Sequence, residues 1–362
     1  MGIYILILLI FCFLSILDFF FFNHFEKAIG KKILVIAISI FLIFFAGLRT
    51  LSPDIEIYKS MFDEVEAGNL DSWMIQFTEP GYVFLLRILS PLTFQISLVI
   101  IATIGVLLKV NFFLKYSPFV FLSLIIYFTT DFMMKEMGQI RHGIAMGIIF
   151  YGYDCLINKK KNFFLFIVVL ATLFHFSAIC VLPLYFIYNS KKTIFFYFSS
   201  IFLMLPFVIF DVKGVIFRFM SFLPIESFSS KAEAYSGSDF ANRIGFNSTF
   251  FLLIVMFSIL LFLKYKTTYK PEIINIFVNI YFLGIVYFMV FNSISEFSLR
   301  TNVYFRMLDI LILPILIYNF RYRILGLFLL ILILLNTFKT LNNRYNDEAI
   351  SYTYFPYQSI FD

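Results

Sequence analysis

Charged residues are scarce in this sequence: they make up 14% of the 362 residues, whereas hydrophobic residues make up 61%. A soluble domain usually carries roughly 25% charged and 45–50% apolar residues. The mean hydropathy is +0.93. This balance excludes a disordered chain, a secreted disulfide scaffold and an ordinary soluble enzyme. It is typical of a protein with several membrane-spanning segments.

Few residues suit metals, nucleotides or disulfides. The three cysteines, Cys12, Cys155 and Cys180, lie in apolar stretches without Cys-x-x-Cys or Cys/His spacing, so neither a disulfide framework nor a structural zinc site is expected. There is no Walker loop, dinucleotide fingerprint or His-Glu-x-x-His motif, so we expect no nucleotide, cofactor or metal. Asp54 and Glu56 leave an acidic metal site as an alternative. The net charge of +6 does not indicate nucleic-acid binding, because membrane proteins distribute Lys and Arg unevenly.

Apolar runs dominate the chain and predict α-helices, most of them long enough for a span of about 20 residues. No repeat and no low-complexity linker divides the sequence. We therefore predict an all-α, polytopic integral membrane protein with about 10–12 transmembrane helices in one domain over residues 1–362. The runs are 3–22, 33–48, 82–108, 118–134, 140–157, 163–188, 193–210, 249–265, 273–294, 303–319 and 324–338.

The breaks between the runs predict orientation, because cytoplasmic loops carry an excess of Lys and Arg. One set of breaks is basic and is predicted to be cytoplasmic, at residues 27–32, 109–115, 159–161, 191–192, 264–270 and 321–323. The other set is richer in acids and is predicted to lie outside, at residues 49–80, 135–142, 211–248, 295–302 and 339–362. Both termini then lie outside.

Residues 163–188 form one apolar run between two basic breaks. If both breaks are cytoplasmic, the run must enter the membrane and return. At about 1.5 Å per residue, each arm would be near 19 Å, short of a hydrocarbon core of roughly 30 Å. We therefore predict a re-entrant helical hairpin that turns near Phe174 and His175. The alternative is one long tilted helix with the later topology inverted.

Two outside segments are long enough to carry function. Residues 49–81 are predicted to include an amphipathic helix on the membrane surface, and residues 211–248 are predicted to form a large loop. The C-terminal tail 339–362 contains the aromatic stretch Tyr352–Tyr357. We expect this stretch to tuck into the outer membrane interface, where Tyr is favoured.

Unusual polar residues collect on the outside of this topology. Arginine suits a phosphate ligand, because its planar fork donates two parallel hydrogen bonds and keeps its charge. Several arginines at one depth predict a diphosphate site, with nearby acids and a histidine for general base chemistry. For a single arginine, anchoring to lipid headgroups explains the position at least as well. The candidate binding residues are Arg49, Tyr58, Gln139, Arg141, His142, Arg218, Arg243, Arg300 and Arg306, and the candidate bases are Asp54, Glu79 and His175.

Some candidates have a structural explanation as well. Arg141 begins a helix, where the dipole disfavours a cation, so an acid or a ligand should compensate its charge. Glu79, which precedes a proline, could equally cap a helix. His175 could be a core histidine, although its predicted position at the turn favours function. Arg306 and Asp309 should share a helix face, where pairing is the expected role of Asp309.

Several of these motifs together resemble the EpsG family, which overlaps the O-antigen and capsule polymerases called Wzy. The resemblance covers about residues 40–190, and Arg300–Arg306 and Pro356-Tyr357 look similar too. The family often has Arg-Gln where this chain has Arg141-His142. The motifs are Gly47-Leu48-Arg49, Asp54, Tyr58, Glu79-Pro80-Gly81-Tyr82, Ile140–Ala145 and Leu170–Ala178.

The resemblance implies a GT-C-like, multi-helix glycosyltransferase in the bacterial cytoplasmic (inner) membrane, with its active site facing the periplasm. Such an enzyme moves a growing glycan from undecaprenyl diphosphate to the non-reducing end of the next undecaprenyl-diphosphate-linked repeat unit. A chain-length regulator is a further implied partner, beside the lipid-linked oligosaccharide and the bilayer.

The residues and the resemblance together predict a metal-independent polymerase of surface polysaccharide. Arginines would neutralise the leaving diphosphate and an acid or histidine would deprotonate the acceptor, namely Arg141 with Arg49, Arg300 or Arg306, and His175, Asp54 or Glu79. Two rival functions stay open: a flippase or transporter of lipid-linked oligosaccharide, and another membrane transferase such as a ligase or acyltransferase. A transporter would need polar residues along a path through the membrane.

Overall fold

The computed structural model describes residues 1–21, 29–221 and 242–362. A π-helix over Phe128–Gly138 follows α7, and a 3₁₀-helix over Phe176–Val181 follows α9. The α-helices are α1 (Gly2–Phe20), α2 (Ile29–Gly47), α3 (Ile55–Glu66), α4 (Trp73–Gln76), α5 (Pro80–Leu89), α6 (Phe94–Tyr116), α7 (Val120–Tyr127), α8 (Ile140–Ile157), α9 (Lys161–Phe174), α10 (Leu184–Ile187), α11 (Ile194–Ile209), α12 (Lys213–Ser221), α13 (Ser248–Lys266), α14 (Pro271–Val290), α15 (Ser295–Arg306), α16 (Asp309–Tyr318), α17 (Arg323–Asn346) and α18 (Glu348–Tyr354).

Seven helical stretches in the described ranges are long and apolar enough to cross a membrane. They are α1, α2, α6, α13, α14, the stretch Ser295–Tyr318 and α17. Shorter apolar helical stretches accompany them at Pro80–Leu89, Lys161–Phe174, Phe176–Ile187 and Ile194–Ile209. The all-α, polytopic membrane class is confirmed. The sidedness of the helices stays a prediction.

The chain divides into two compact units. The first comprises Met1–Ile179 and Leu313–Asp362, and the second comprises Cys180–Ile312. The prediction of one membrane domain over residues 1–362 stays a prediction.

Small residues let the helices of the first unit approach closely. A Cβ added at Gly47 in α2 would lie 2.6 Å from Val99 in α6, and a Cβ added at Gly147 in α8 would lie 3.3 Å from the Gly105 carbonyl of α6. Such close approach through small residues is a common mode of helix association in membranes. α6 is therefore the helix on which α2 and α8 pack.

The sequence predicts one helix over residues 82–108, and this prediction is wrong. α5 ends at Leu89 and α6 begins only at Phe94. Pro91, in the break, has no N–H and disfavours helix at the residue before it. The Thr93 hydroxyl then caps α6 by accepting a hydrogen bond from the N–H of the third residue of the new helix. Because α6 continues to Tyr116, Lys109 lies inside a helix and not in a cytoplasmic break.

The predicted outside break over residues 135–142 is largely helical. The π-helix extends to Gly138 and α8 begins at Ile140, so Gln139 alone separates them. π-helical turns are rare and occur frequently at functional sites. This geometry holds the charged residues of the predicted break directly against the first turn of α8.

The apolar run 163–188 is interrupted where the turn was predicted. α9 ends at Phe174, and His175 has an extended backbone with φ −155° and ψ 116°. The 3₁₀-helix follows at once. Because residues from Cys180 belong to the second unit, the return of the second arm stays a prediction.

The segments predicted to be outside loops contain helices. Residues 49–81 include α3, and its apolar face is covered by protein. Residues 211–248 include α12, whereas residues 222–241 lie outside the described residues. α17 continues to Asn346, past the predicted start of the tail 339–362.

The C-terminal tail runs back along the first unit. Two backbone hydrogen bonds, of 3.0 and 3.1 Å, join residues 48–50 to residues 358–360 at an antiparallel bridge that includes Arg49. The Tyr357 ring stacks on Phe45 with centroids 4.2 Å apart, and its hydroxyl donates to the Phe45 carbonyl at 2.9 Å. The aromatic tail is therefore packed on protein beside Arg49.

In the second unit, α14 is largely buried, and α11, α13 and α15 pack against it. Gly284 of α14 leaves no room for a Cβ beside Phe305 of α15. The Asn302 side-chain amide of α15 donates to the Gly284 carbonyl at 2.8 Å. These contacts join α14 and α15 into a tight helix pair.

Gly81 of α5 makes the first unit sensitive to a single added methyl group. A Cβ there would lie 2.7 Å from the Leu173 carbonyl oxygen of α9, so Gly81→Ala must push α5 away from α9. We expect this change to destabilise the protein by about 1–3 kcal/mol, which thermal unfolding in detergent would detect. Gly30→Ala is the matched control, because nothing lies within 4 Å of a Cβ added there. Equal unfolding temperatures for the two variants would contradict the packing described.

Candidate functional site

An ion pair between Arg141 and Glu79 organises the predicted site in the first unit. The Arg141 Nη1 atom donates to Glu79 Oε2 at 2.5 Å, and both side chains are largely buried. Arg141 occupies the first turn of α8, and Glu79 immediately precedes α5. Glu79, 62 residues away in the sequence, is therefore the acid that compensates the positive charge of Arg141 at the start of the helix.

Tyr58 lies beside this ion pair. The buried ring comes from α3, and its hydroxyl is hydrogen-bonded to Arg141. The Tyr82 ring meets it edge-on with centroids 5.9 Å apart. Burial raises the pKa of Tyr58, and the positive charge of Arg141 offsets only part of that effect. Tyr58 is therefore a neutral phenol at physiological pH.

Arg49 is a second guanidinium in the same unit, and it is 1% exposed. Its Nη1 atom donates to the Ala46 carbonyl, and no carboxylate of the described residues forms an ion pair with it. The phenols of Tyr58, Tyr354 and Tyr357 lie close enough to interact with its charge. Burial lowers the pKa of Arg49 to about 10, so the group stays charged at neutral pH.

Several buried donors around Tyr58 have no hydrogen-bond partner among the described residues. They are Arg49 Nε, Arg49 Nη2, Arg141 Nε and the Tyr82 hydroxyl. Buried polar groups are almost always satisfied in folded proteins, so a group of orphaned donors needs a reason. An anionic ligand with several acceptor oxygens would supply one, because charge-assisted hydrogen bonds to guanidinium are strong. We call Arg49, Tyr58, Glu79, Tyr82 and Arg141 the arginine cluster.

Two imidazoles stack next to the arginine cluster. The His142 and His175 ring centroids are 4.3 Å apart with an interplanar angle of 15°. Lys135 Nζ lies 3.1 Å from His142 Nδ1 and 2.5 Å from Gln139 Oε1, and His175 Nδ1 lies 2.7 Å from Ser177 Oγ. A protonated lysine only donates, so His142 Nδ1 accepts and a neutral His142 carries its proton on Nε2.

Asp54 differs from the other candidate bases. Its carboxylate is half-buried, makes no side-chain hydrogen bond or ion pair to the described residues, and lies near enough to Tyr58 to influence its ionisation. Glu79 is held by Arg141, and His175 contacts Ser177. Asp54 is therefore the candidate base with free acceptor oxygens.

The EpsG family model matches residues 32–359, which is most of the sequence. The chain belongs to the EpsG family. Membership in this Wzy-like family indicates a membrane polysaccharide polymerase with a glycosyltransferase-like role. No curated protein and no solved structure matches the chain. The match extends well beyond residues 40–190, over which the sequence motifs were recognised.

The other arginines predicted for this EpsG protein belong to the second unit. Arg300 pairs with Glu296 one helical turn away, Arg243 donates to the Val208 carbonyl, and Arg218 is exposed on α12. Arg306 is half-buried and makes no hydrogen bond or ion pair within the described ranges. The structure therefore groups Arg49, Tyr58, Glu79, Gln139, Arg141, His142 and His175, with Asp54 near Tyr58, and leaves the roles of the second-unit arginines as predictions.

The expected pairing of Arg306 with Asp309 is wrong. Asp309 accepts a hydrogen bond of 2.8 Å from the Tyr281 hydroxyl of α14. α15 ends at Arg306 and α16 begins at Asp309, so the two residues do not share one continuous helix. The spacing rule for helix faces does not apply across such a break.

Two residues of the site were missed at the sequence level. Tyr82 was named only within the motif Glu79-Pro80-Gly81-Tyr82 and not as a site residue, and its orphaned hydroxyl is what marks it in the structure. Lys135 was assigned to a loop, whereas it is 7% exposed and lies against His142. The signal for Lys135 was present, since a charged residue between two apolar runs is rare inside a membrane. Within the described residues, no group of three or more His, Cys, Asp or Glu side chains is arranged to hold a metal ion.

Replacing Arg49 should separate stability from anion binding. In Arg49→Met a buried charge without a carboxylate partner is removed, so the unfolding temperature in the absence of ligand should be at least that of the wild type. Pyrophosphate should raise the unfolding temperature of the wild type but not of Arg49→Met. At 100 times its Kd, a ligand that binds only the folded state adds about 2.7 kcal/mol. Arg321→Met, which removes an exposed arginine, should keep the pyrophosphate shift. A shift in Arg49→Met equal to that of the wild type would remove Arg49 from the anion site.

Proposed function

We propose that this EpsG protein polymerises lipid-linked oligosaccharide repeat units as a metal-independent glycosyltransferase. Its donor would be a glycan on undecaprenyl diphosphate, and its acceptor the non-reducing end of the next undecaprenyl-diphosphate-linked unit. The observation that carries the proposal is the set of orphaned buried donors on Arg49, Arg141 and Tyr82. A diphosphate offers both the negative charge and the acceptor oxygens that these donors lack.

The proposed reaction breaks one glycosidic phosphate bond and forms one glycosidic bond. An acceptor hydroxyl attacks the anomeric carbon of the donor glycan, while the bond from that carbon to the diphosphate oxygen breaks. Negative charge develops on the leaving diphosphate, where Arg49 and Arg141 would stabilise it more strongly than in the ground state. The proton of the acceptor hydroxyl passes to a general base, and undecaprenyl diphosphate leaves.

Asp54 is the base that we favour among Asp54, Glu79 and His175. Glu79 is already engaged by Arg141, so proton capture there would weaken the ion pair that holds Arg141. The His175 ring is stacked on His142, beside Lys135. Asp54 keeps free oxygens next to Tyr58, within the surroundings of the same diphosphate.

The depth of the site supports a reaction at one membrane boundary. α9 runs 14 residues from Lys161 to Phe174, which is about 21 Å, and places His175 that far from the basic break at residues 159–161. α8 covers about 24 Å between Arg141 and its last residue, Ile157, which precedes the same break. The hydrocarbon core is roughly 30 Å thick. If the basic break is cytoplasmic, the site lies in the outer leaflet, near a lipid diphosphate on the periplasmic side of the inner membrane.

The direct experiment is extension of a defined lipid-linked repeat unit by the purified protein, with and without a chelator. We expect long glycans in both reactions. Loss of extension with the chelator would contradict the metal-independent mechanism. Addition of a candidate chain-length regulator would test whether such a partner sets the length of the product.

Arg141→Ala should abolish chain extension while the amount of folded protein in the membrane stays normal, because the variant removes charge stabilisation of the leaving diphosphate. Cells with this variant should carry surface glycan with single repeat units on a gel, as expected for a polymerase defect. Loss of all surface glycan would instead indicate a flippase. Arg321→Ala is the matched control and should give long chains. Long chains from Arg141→Ala would remove Arg141 from the mechanism.

Asp54→Asn should lower kcat about 100-fold or more with KM near the wild-type value, because general base catalysis contributes about 10²–10⁴-fold. Asp63→Asn changes an exposed acid on α3, the helix that begins directly after Asp54, and should leave kcat unchanged. Parallel assays of Glu79→Gln and His175→Gln rank the three candidates. Normal turnover by Asp54→Asn together with a loss in His175→Gln would transfer the role to His175.

A further inference from the structure

Lys109 and Glu136 form a buried ion pair that the proposed reaction does not use. Lys109 is fully buried on α6, and the Glu136 side chain, on the π-helix, is 2% exposed. Lys109 Nζ donates to Glu136 Oε1 and also to the Gly143 carbonyl oxygen at 2.8 Å. The Tyr127 hydroxyl donates to Glu136 Oε1 at 2.9 Å. We call Lys109, Tyr127, Glu136 and Gly143 the lysine clamp.

The lysine clamp acts on the turn that carries two site residues. Gly143 lies in the first turn of α8, directly after Arg141 and His142. Its carbonyl already belongs to the α-helix, so the bond from Lys109 is an additional restraint from a neighbouring helix. Glu136, the other partner of Lys109, precedes Gln139 and lies near the end of the π-helix. Lys109 therefore joins the end of one helix to the start of the next.

Glycines make room for the lysine clamp. A Cβ at Gly105 of α6 would overlap Glu136 Oε2, and a Cβ at Gly143 would lie 2.7 Å from the Lys135 carbonyl oxygen. The carboxylate thus occupies a space that only a residue without a side chain leaves open. The contact between the Glu136 carboxylate and Gly105 therefore fixes the position of the π-helix along the axis of α6.

A contribution to folding stability is a weak explanation for the presence of a buried ion pair. Desolvation of two charges opposes their attraction, and neutral replacements of a buried ion pair are often as stable as the original. Position is a stronger reason, since displacement of a reacting group by 1 Å can lower turnover about 100-fold.

We infer that Lys109 and Glu136 are positioning residues, which hold the first turn of α8 so that Arg141 and His142 face the diphosphate. This inference rests on the proposed function. The fixed register between α6, the π-helix and α8 sets where the Arg141 guanidinium meets Glu79 and Tyr58. A change in the lysine clamp should therefore alter turnover without touching a residue that meets substrate.

The test is the double variant Lys109→Met with Glu136→Gln. It removes both charges of the pair together, so neither is left unpaired, and it keeps an acceptor for the Tyr127 hydroxyl, but the Gly143 carbonyl loses its lysine donor. We expect an unfolding temperature near that of the wild type, kcat lower by about 100-fold, and no pyrophosphate-induced rise of the unfolding temperature. If the ion pair served stability alone, the double variant would have wild-type turnover as well as a wild-type unfolding temperature.

The matched control is Lys31→Met with Asp18→Asn. This pair is equally buried, with Nζ and Oδ1 2.7 Å apart, and Lys31 lies about 24 Å along α2 from Gly47. The control variant should keep the turnover and the pyrophosphate shift of the wild type.

Any of three results would overturn the inference. The turnover of the Lys109→Met, Glu136→Gln variant could stay within threefold of that of the wild type, or the control variant could lose as much turnover as the clamp variant. The third result is that the clamp variant fails to fold while the control variant folds. A wild type that binds pyrophosphate but extends no glycan would refute the proposed polymerase. The pyrophosphate shift would then decide the positioning role. A wild type with neither property would refute both.

Discussion

A cation in the first turn of a helix is opposed by the helix dipole, and the contact between Arg141 and Glu79 removes that opposition. The contact ties the start of α8 to the start of α5, and Tyr58 adds α3 to the same junction. Arg49 and Arg141 both lie near enough to Tyr82 to interact with it electrostatically, and each of the three keeps a buried donor without a partner among the described residues. A single acid thus leaves two guanidinium groups with only part of their hydrogen-bonding capacity used, which is the property an anion site requires.

Buried charges also organise the rest of the first unit. Lys31 pairs with Asp18 and Lys109 pairs with Glu136, and both of these pairs are buried, whereas Lys115 reaches Asp154 from an exposed position. Each pair joins two different helices. For the two buried pairs, loss of one partner would leave an uncompensated charge in an apolar surrounding, which is costly. Such pairs determine which helices are neighbours and how they are aligned along their axes. Contacts among Phe, Ile and Leu side chains are less selective, because they could form in more than one alignment.

Much of the fold was predictable from composition and hydropathy. The apolar runs gave the all-α membrane class, and the interruption at His175 was located by counting residues between basic breaks. The division at Pro91 was missed because hydropathy does not register a missing backbone donor within an apolar run. Lys109 was placed in a cytoplasmic break because charge counting cannot distinguish a loop lysine from one that is paired inside a bundle.

The candidate site was predictable as a set of residue types and not as an arrangement. Arginines, acids and histidines stood out against the apolar background, and most of those in the first unit do come together. Which acid meets which arginine depends on contacts between helices far apart in sequence, as for Glu79 and Arg141. Tyr82 was not predicted as a site residue because its importance lies in an unmet hydrogen bond, which no sequence pattern encodes. Lys135 was assigned to a loop although its charge stood out between two apolar runs.

The bridge between residues 48–50 and 358–360 bears on how the protein is made. Arg49 emerges from the ribosome early, but its bridge partner and two of the tyrosines that enclose it are translated about 300 residues later. The N-terminal helices are therefore made well before the segment that encloses Arg49. A nascent chain stalled before residue 354 would carry every arginine of the cluster and still lack the wall that buries one of them.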